Sequence, residues 1–346
     1  MTRQLATALI LMGMILALGV GAELVGVRVY ERIATNLCIS LVLVLGLQVF
    51  MGNSGILSFA HIGFMGVGAY TSAVLTMPAR MKSMALPDLY PVLAGLEISP
   101  IFGILIGGLL AALVAAAVSY PLMRLSDAAA VITSFALLVV LHTIMTNWSM
   151  LTNGPRTLFG LPKATTLPLA AGIAALAIPV VLWFKETRWG LLLRASRDDE
   201  IAAASLGAHI PRLRWGAFVL SALLAGIGGA IWGHFITSFS PKAFYLKETF
   251  VILGMLVIGG PNTVTGAVFG AFVVTFAFEG LRSVEAALNR SQLFTDPVVG
   301  LTEFVLATAM IAVLSLRPGG LFPTREIGYY VTRRSRGSAP LARSNR

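Results

Sequence analysis

The sequence has few of the residues that soluble proteins and metal centres use. It contains one cysteine, four histidines and only 12% charged residues, against roughly 25% charged residues in soluble domains. The single cysteine, Cys38, excludes an intramolecular disulfide and any zinc site with several thiolate ligands. The histidines are scattered without ligand spacing, so we expect no metal site.

Sequence motifs for nucleotide binding and hydrolysis are missing as well. There is no G-x-x-x-x-G-K-[ST] loop, no G-x-S-x-G turn and no H-E-x-x-H helix. We therefore expect a chain that is not an enzyme and holds no cofactor, so that any ATP is bound by partner subunits. An integral membrane enzyme would need His, Asp or Ser clustered near one face, and the sequence shows no such cluster.

Apolar residues are abundant. They make up 57% of the chain, with 35 glycines and a mean hydropathy of +0.86. Because a bilayer core about 30 Å thick needs about 20 apolar residues in a helix, the runs predict an all-α integral membrane fold with about ten spans. The run at 249–262 is short, so a half-helix or re-entrant turn is an alternative there. The predicted spans are 5–22, 33–50, 55–77, 100–122, 128–150, 167–184, 216–236, 249–262, 264–281 and 296–316.

The net charge of +10 is explained by membrane orientation better than by nucleic-acid binding. With the N-terminus inside, 15 of the 25 Lys and Arg residues fall on the inner side. This distribution predicts cytoplasmic N- and C-termini in a multi-pass protein. We divide the chain into a transmembrane domain (1–322) with an inner loop at 185–214, and a basic cytoplasmic tail (323–346) that can contact anionic lipid.

The first span has a second interpretation. Residues 1–22 could be a cleaved signal peptide, because a basic N-terminus precedes an apolar run. The run at 5–22 is long for that purpose, and retaining it keeps the number of spans even. A retained signal-anchor is therefore the default.

The inner loop contains the signals of a short helix. Ser196 can cap it, with Asp199 three residues later, and Gly207 is placed to end it in the left-handed conformation. These signals predict a helix from Arg197 to Leu206. The alternative is that this helix is amphipathic and lies on the membrane surface, where it contacts no other protein. Three acids suit the positive end of the helix dipole: Asp198, Asp199 and Glu200.

Three blocks of sequence resemble a known family. The stretch from Glu200 to Gly207 resembles the Glu-Ala-Ala coupling motif of ABC importer permeases, and Arg194–Gly233 is similar to the branched-chain amino acid permease family of the LivM type. The blocks Gly52–Thr71 and Arg317–Phe322 resemble that family's first Gly-rich segment and its closing motif. The likeness covers roughly residues 33–322.

This resemblance implies a ten-helix importer subunit in the bacterial cytoplasmic (inner) membrane. The implied partners are two cytosolic ATPase subunits, a second homologous permease that is usually a different protein, and a periplasmic or extracellular substrate-binding protein. The chain departs from the family at Thr152–Thr157 and Gly259–Thr263. The cargo therefore stays open among branched-chain amino acids, urea, amides and aromatic acids. The residues implied to couple to an ATPase are Arg197, Asp198, Asp199, Glu200, Ala202, Ala203 and Gly207.

Polar residues within the spans are candidates for lining a path, because ionisable groups are costly in a membrane. His61 is the leading candidate, since Ser58 and Tyr70 share its segment. We expect Glu279 and Glu303 to bond to neighbouring helices instead, and His234 to be a satisfied packing residue. The predicted path residues are Ser58, His61, Tyr70, His142 and Asn147.

Two Gly-rich segments interrupt apolar runs, one at 52–68 and one at 254–270. Such breaks are typical of transporter pathways, and small residues also pack helices closely. We expect both roles on different faces, and packing alone for Gly226, Gly228 and Gly229.

The sequence thus favours the permease subunit of an ATP-driven importer that moves a small solute by alternating access. A stand-alone secondary transporter or channel is the second hypothesis. It predicts buried charges for ion coupling and no docking helix.

Overall fold

The computed structural model describes residues 2–125, 127–290, 300–317, 319–322 and 326–329. The helices of the first half are α1 (Thr2–Val25), α2 (Arg28–Ser54), α3 (His61–Thr76), α4 (Ala79–Ala85), α5 (Pro91–Ala94), α6 (Pro100–Leu122), α7 (Asp127–Asn147) and α8 (Ser149–Thr152). Those of the second half are α9 (Leu167–Glu186), α10 (Arg188–Asp198), α11 (Glu200–Ser205), α12 (Ile210–Ile236), α13 (Leu246–Gly259), α14 (Val264–Arg290) and α15 (Leu301–Leu316).

The predicted all-α membrane fold is confirmed. Within the described residues, seven helices are long and apolar enough to cross a membrane, namely α1, α2, α6, α7, α9, α12 and α14. The shorter helices α3, α13 and α15 have 16, 14 and 16 residues. Together with the seven longer helices they make ten, which agrees approximately with the predicted number of spans. The only described strands, β1 (Leu158–Phe159) and β2 (Ser238–Phe239), form one short antiparallel pair.

Helix α2 lies at the centre of the bundle. Its sequence is apolar all round, and 89% of its spanning window is buried, as expected for a helix without a solvent-facing or lipid-facing side. Helices α1, α9, α12, α13 and α14 pack around it. On the outside, α1 lies along α9 through the buried residues Leu11 and Ile15.

Helices α3, α6 and α12 form a tight group beside α2. Glycines permit this, because a Cβ at Gly68 of α3 would lie 2.1 Å from the carbonyl oxygen of Gly226 in α12. A Cβ at Gly229 would lie 1.9 Å from the carbonyl oxygen of Met65. The prediction that Gly226 and Gly229 serve packing is therefore confirmed. The Gly-rich segments also pack, since Gly259 in α13 meets the backbone of Gly266 in α14.

Two predicted spans differ from the observed helices. The span at 55–77 begins as a helix only at His61, because Gly55 ends α2 with φ +74° and residues 55–60 stay non-helical. The run at 249–262 forms most of α13, which has only 14 residues and is short for a full crossing. Helix α13 begins beside α15 at one end of the bundle, where Lys247 meets Glu303, and ends beside α2. Residues 296–299 of the last predicted span lie outside the described residues.

Several chain segments meet at one end of the bundle, which we call the coupling end. Lys185, at the end of α9, contacts both Asn262 and Glu326. The backbone N–H of Gly328 donates to the Thr7 hydroxyl of α1 at 3.1 Å. The first residues of α1, helices α10 and α11, and residues 326–329 therefore share one side. The predicted tail begins at 323, and its residues 330–346 lie outside the described part.

Candidate coupling segment and solute path

The segment at 185–214 folds as two helices, α10 and α11, rather than one. Asp199 separates them with extended backbone at φ −151°, and its Oδ1 accepts the backbone N–H of Ala202 at 2.9 Å. Asp199 is therefore the N-cap. The predicted cap at Ser196 is wrong, because Ser196 lies inside α10, where its hydroxyl donates to the Leu193 carbonyl. Either residue type is competent to cap a helix.

The end of α11 is as predicted. Gly207 has φ +84°, and its N–H donates to the Ala204 carbonyl at 2.9 Å. The N–H of Ala208 reaches back to the Ala203 carbonyl at 3.2 Å, which completes a Schellman motif. A Cβ at Gly207 would meet nothing within 4 Å. Its left-handed backbone, and not crowding, is what requires glycine.

Helix α11 is anchored on one side and open on the other. Glu200 Oε2 accepts from Arg214 Nη2 of α12 at 2.9 Å, and Arg214 is buried. Ala203 is buried against the bundle, whereas Ile201 and Leu206 are 84% and 79% exposed. An open groove of about 450 Å³ lies beside this apolar surface. Its walls are Glu200, Ile201, Ala204, Ala208, His209, Ile210 and Pro211.

The remaining predicted coupling residues divide between the two sides. Asp198 and Ala202 are exposed. Arg197 reaches back to the bundle, where its Nη1 donates to Asn262 Oδ1 and, at 3.4 Å, to the Gly52 carbonyl. Its side chain also covers Gly55, where a Cβ would lie 2.8 Å from Arg197 Cγ. Arg197 thus ties α10 to the end of α2.

A buried ion pair at the coupling end was not predicted from the sequence. Lys185 Nζ lies 2.6 Å from Glu326 Oε1, with the side chains 6% and 11% exposed. The Glu326 carboxylate also accepts the backbone N–H groups of Val264 and Thr265, both at 2.9 Å, at the start of α14. A carboxylate is favourable there because the N–H groups and the dipole of the helix point at it.

The charge state of Glu326 follows from these contacts. Burial raises its pKa, but the Lys185 ammonium and the hydrogen bonds from Thr265 lower it by more, so the net pKa lies below its ordinary value of 4.5. The carboxylate is therefore ionised at neutral pH. The ionised Glu326 carboxylate contributes its full stabilisation of the fold at pH values above its ordinary pKa. That contribution is lost as the pH falls through the lowered pKa of the folded protein.

His61 and Ser58 lie in the bundle near the coupling end. The His61 ring is buried between Phe50 of α2 and Phe218 of α12, with ring centroids 6.0 and 5.3 Å away. Within the described residues, neither its ring nitrogens nor the Ser58 hydroxyl have a hydrogen-bond partner of normal geometry. Ser58 lines a small closed cavity with Phe50, Phe218 and Ser134. Unsatisfied polar groups of this kind need an explanation, such as a water or a passing solute.

Tyr70 and His234 lie toward the opposite end. Tyr70 packs against Phe239 and Phe244 with centroid distances of 5.0 and 5.8 Å. It shares the α3 segment with His61 but belongs to a separate aromatic cluster. His234 is fully buried, with Nε2 2.9 Å from the Ser72 hydroxyl and Nδ1 3.0 Å from the Pro162 carbonyl. His234 is thus a satisfied packing residue, as expected. The expected bonding of Glu303 to a neighbouring helix is confirmed, because it pairs with Lys247 of α13 at 2.6 Å. Among the described residues, no ion pair involves Glu279.

A partly open face with polar residues lies between α7 and the start of α13. His142 of α7 is half-buried and stacks on Tyr245, just before α13, at 4.3 Å between ring centroids. Asn147 is exposed and donates to the Thr143 carbonyl of its own helix. Nearer the coupling end, Phe59 contacts Phe135 of α7 and Phe250 of α13 at 5.9 and 6.1 Å. The sequence analysis did not predict Tyr245 and Phe250 as path residues. Both lie at or near the start of an apolar run, and no motif distinguishes them from other apolar residues.

No group of three or more His, Cys, Asp or Glu side chains in the described part of the chain could hold a metal ion. The three ion pairs described there lie at Lys185, Arg214 and Lys247. The arrangement therefore consists of an anchored exposed helix at one end and an aromatic, partly polar face along the bundle.

Comparisons with known proteins identify a family of membrane permeases. The family model described as "Branched-chain amino acid transport system / permease component" matches residues 29–314. The chain is 26% identical over 325 positions to the high-affinity branched-chain amino acid permease LivM of Salmonella typhimurium, covering 84% of this chain and 69% of that protein. It is 26% identical over 284 positions to the nucleoside ABC transporter permease NupC of Lactococcus lactis, covering 74% and 86%.

A shorter likeness reaches a sugar transporter. The fructose import permease FrcC of Rhizobium meliloti is 32% identical over 120 positions, which is 32% of this chain and 33% of that protein. No solved structure matches the chain significantly. Because the family model spans most of the helical bundle, this chain belongs to the family of branched-chain amino acid transport system permease components, which are membrane transport proteins and not an enzyme family.

Proposed function

We propose that this chain is the transmembrane permease subunit of an ATP-driven importer and that α11 is the element through which a cytosolic ATPase acts on it. The observation that carries the proposal is the state of α11. It is held to the bundle by Glu200 and Arg214, yet it exposes Ile201 and Leu206. Large exposed apolar side chains beside a groove are typical of a protein docking site.

The bundle offers a direct mechanical link from this helix. A displacement of α11 acts on Arg214 near the start of α12, and α12 packs against α2, α3 and α6. Arg197 carries the same movement to the end of α2. Closure of two ATPases would thus rearrange the spans and open the path on one side of the membrane at a time. The chain itself performs no covalent step and binds no nucleotide.

The solute path in this proposal follows the face between α7 and α13. His142 and Tyr245 supply polar and aromatic contacts there, while Phe59, Phe135 and Phe250 form an apolar stretch. A second, homologous permease would complete the path. The cargo is a small solute, for which we propose a branched-chain or other amino acid, because the similarity to a permease named for branched-chain amino acids extends over 84% of this chain. A periplasmic or extracellular binding protein would deliver it.

This proposal places the coupling end and both chain termini in the cytoplasm of a bacterial inner-membrane protein. The second hypothesis, a secondary transporter, requires ionisable groups along the path. The described buried ion pair instead lies at the coupling end, with Lys185 and Glu326.

Single-cysteine labelling tests the orientation and the docking together. The native thiol of Cys38 is buried, so we expect an introduced, exposed cysteine to react with the reagent much faster than Cys38. We expect Ile201→Cys to react with a membrane-impermeant maleimide in inside-out vesicles and not in spheroplasts, and to be protected when the ATPase subunits are present. Val92→Cys in α5, at the opposite end and 87% exposed, is the matched control and should react in spheroplasts. Reaction of Ile201→Cys in intact spheroplasts would contradict the orientation, and equal reaction with and without ATPase would contradict the docking.

A further inference from the structure

A groove of about 430 Å³ opens on the side of the bundle near the coupling end, away from the face between α7 and α13. Three elements contribute to it, namely the end of α6, the start of α10 and the start of α12. We call it the α6–α12 groove. Its walls are Ala116, Tyr120, Trp189, Arg212 and Trp215.

The aromatic walls are held in place by packing. Trp215 Nε1 donates to the Ala116 carbonyl at 3.0 Å, which fixes its ring against α6. Tyr120 meets Trp215 edge to face at 6.3 Å. The Trp189 ring covers Gly216, where a Cβ would lie 2.5 Å from the ring. Tyr and Trp are enriched at the level of lipid headgroups because one end of each side chain is apolar and the other polar.

Two arginines converge on this wall. The guanidinium carbon of Arg124 lies 5.2 Å from the Tyr120 ring centroid, and Arg212 lines the groove together with Tyr120. The three ion pairs in the described part of the chain involve other residues, so no described carboxylate neutralises either arginine. Both arginines are exposed. A pair of unneutralised guanidinium groups matches the geometry of a phosphate.

An apolar track leads away from the two arginines along α6. Leu109 and Leu113 are 61% and 66% exposed. They lie on the same face of α6 as Ala116 and Tyr120, since the intervals between these positions are three or four residues. Arg124 follows two residues after the helix ends at Leu122. The surface therefore changes from apolar to aromatic to cationic toward the coupling end. A phospholipid has the same order of chemistry, from acyl chain through glycerol to phosphate.

We infer that the α6–α12 groove binds one anionic phospholipid in the leaflet nearest the coupling end, with its phosphate at Arg124 and Arg212 and an acyl chain along Leu113 and Leu109. A lipid bound in this groove would contact α10 and α12, the two helices that precede and follow α11 in the chain. The site does not depend on the identity of the cargo. Its assignment to the cytoplasmic leaflet rests on the proposed orientation.

Native mass spectrometry of the purified full-length chain in detergent tests the inference, with phosphatidylglycerol as the anionic lipid and phosphatidylethanolamine as the zwitterionic one. We expect a one-to-one complex with phosphatidylglycerol that inorganic phosphate at millimolar concentration does not displace. Arg124→Gln combined with Arg212→Gln should weaken that binding roughly 10- to 30-fold, because each basic group near a membrane surface contributes on the order of 1 kcal/mol. Arg80→Gln combined with Arg156→Gln removes two exposed arginines from the opposite end and should leave the affinity unchanged.

Several outcomes would overturn the lipid site. Equal binding of the two lipids would show that the negative charge of the lipid is not recognised. Unchanged phosphatidylglycerol affinity in the Arg124/Arg212 variant would show that these arginines do not bind the lipid. Displacement by inorganic phosphate alone would identify a site for a free anion. Loss of a co-purifying ATPase with unchanged lipid binding would assign the arginines to a protein contact. A size-exclusion profile that matches the unmodified chain establishes that the variant is folded.

Discussion

We expect uptake to fall to background when Glu200→Lys is combined with Gly207→Pro, while the amount of protein in the membrane stays near normal. Glu200→Lys replaces the partner of the buried Arg214 with a second cation. Gly207→Pro fixes φ near −65°, whereas the native value is +84°. It also removes the N–H that donates to Ala204. Both ends of α11 are thereby released from the bundle, but no membrane-spanning helix is changed.

The uptake experiment has a control at the same position. Gly207→Asn keeps the N–H, and asparagine tolerates the left-handed conformation. A Cβ at Gly207 meets nothing within 4 Å. This variant should therefore transport at close to the normal rate. Uptake of labelled solute by cells, normalised to membrane abundance from an immunoblot, measures the effect. Normal uptake by the double variant would show that α11 does not couple ATP hydrolysis to transport.

Gly229→Ala prevents α3 and α12 from packing as they do in the native bundle. Its new Cβ would lie 1.9 Å from the Met65 carbonyl oxygen, which is backbone and cannot rotate away. The two helices would have to separate, and overpacking that shifts the backbone typically costs about 1–3 kcal/mol. We expect a lower melting temperature and a smaller monodisperse peak in detergent.

Gly172→Ala in α9 is the matched control for Gly229→Ala. It makes the same chemical change in another spanning helix, but its Cβ would meet nothing within 4 Å. We expect this variant to keep or slightly raise stability, because alanine favours the helix more than glycine by up to about 1 kcal/mol. Similar melting temperatures for the two variants would contradict the packing role of Gly229.

The spans could be predicted because their signal is local. Apolar runs of the required length fixed most helices to within a few residues, as in α6 and α9. The Gly207 stop was predictable for the same reason, since one residue type satisfies one backbone conformation. The start of α11 was harder. Ser196 and Asp199 are both good caps, and only the observed backbone at Asp199 selects between them.

Long-range partners could not be read from the sequence. Lys185 and Glu326 are separated by 141 positions, and no sequence pattern around either residue predicts that the two pair. The stacking of His142 on Tyr245 depends on how α7 and α13 approach each other, which apolar periodicity does not fix. The glycine contacts illustrate the same limit. Composition predicts close packing, but the structure identifies Met65 as the neighbour of Gly229.

Co-purification from native membranes tests the central claim most directly. The chain would carry a C-terminal tag, the membranes would be solubilised gently, and mass spectrometry would identify the proteins retained. We predict two ATPase subunits and a second permease with the unmodified chain, and loss of the ATPases from the Glu200→Lys, Gly207→Pro variant. Recovery of this chain alone in several mild detergents would contradict the account and favour a stand-alone transporter.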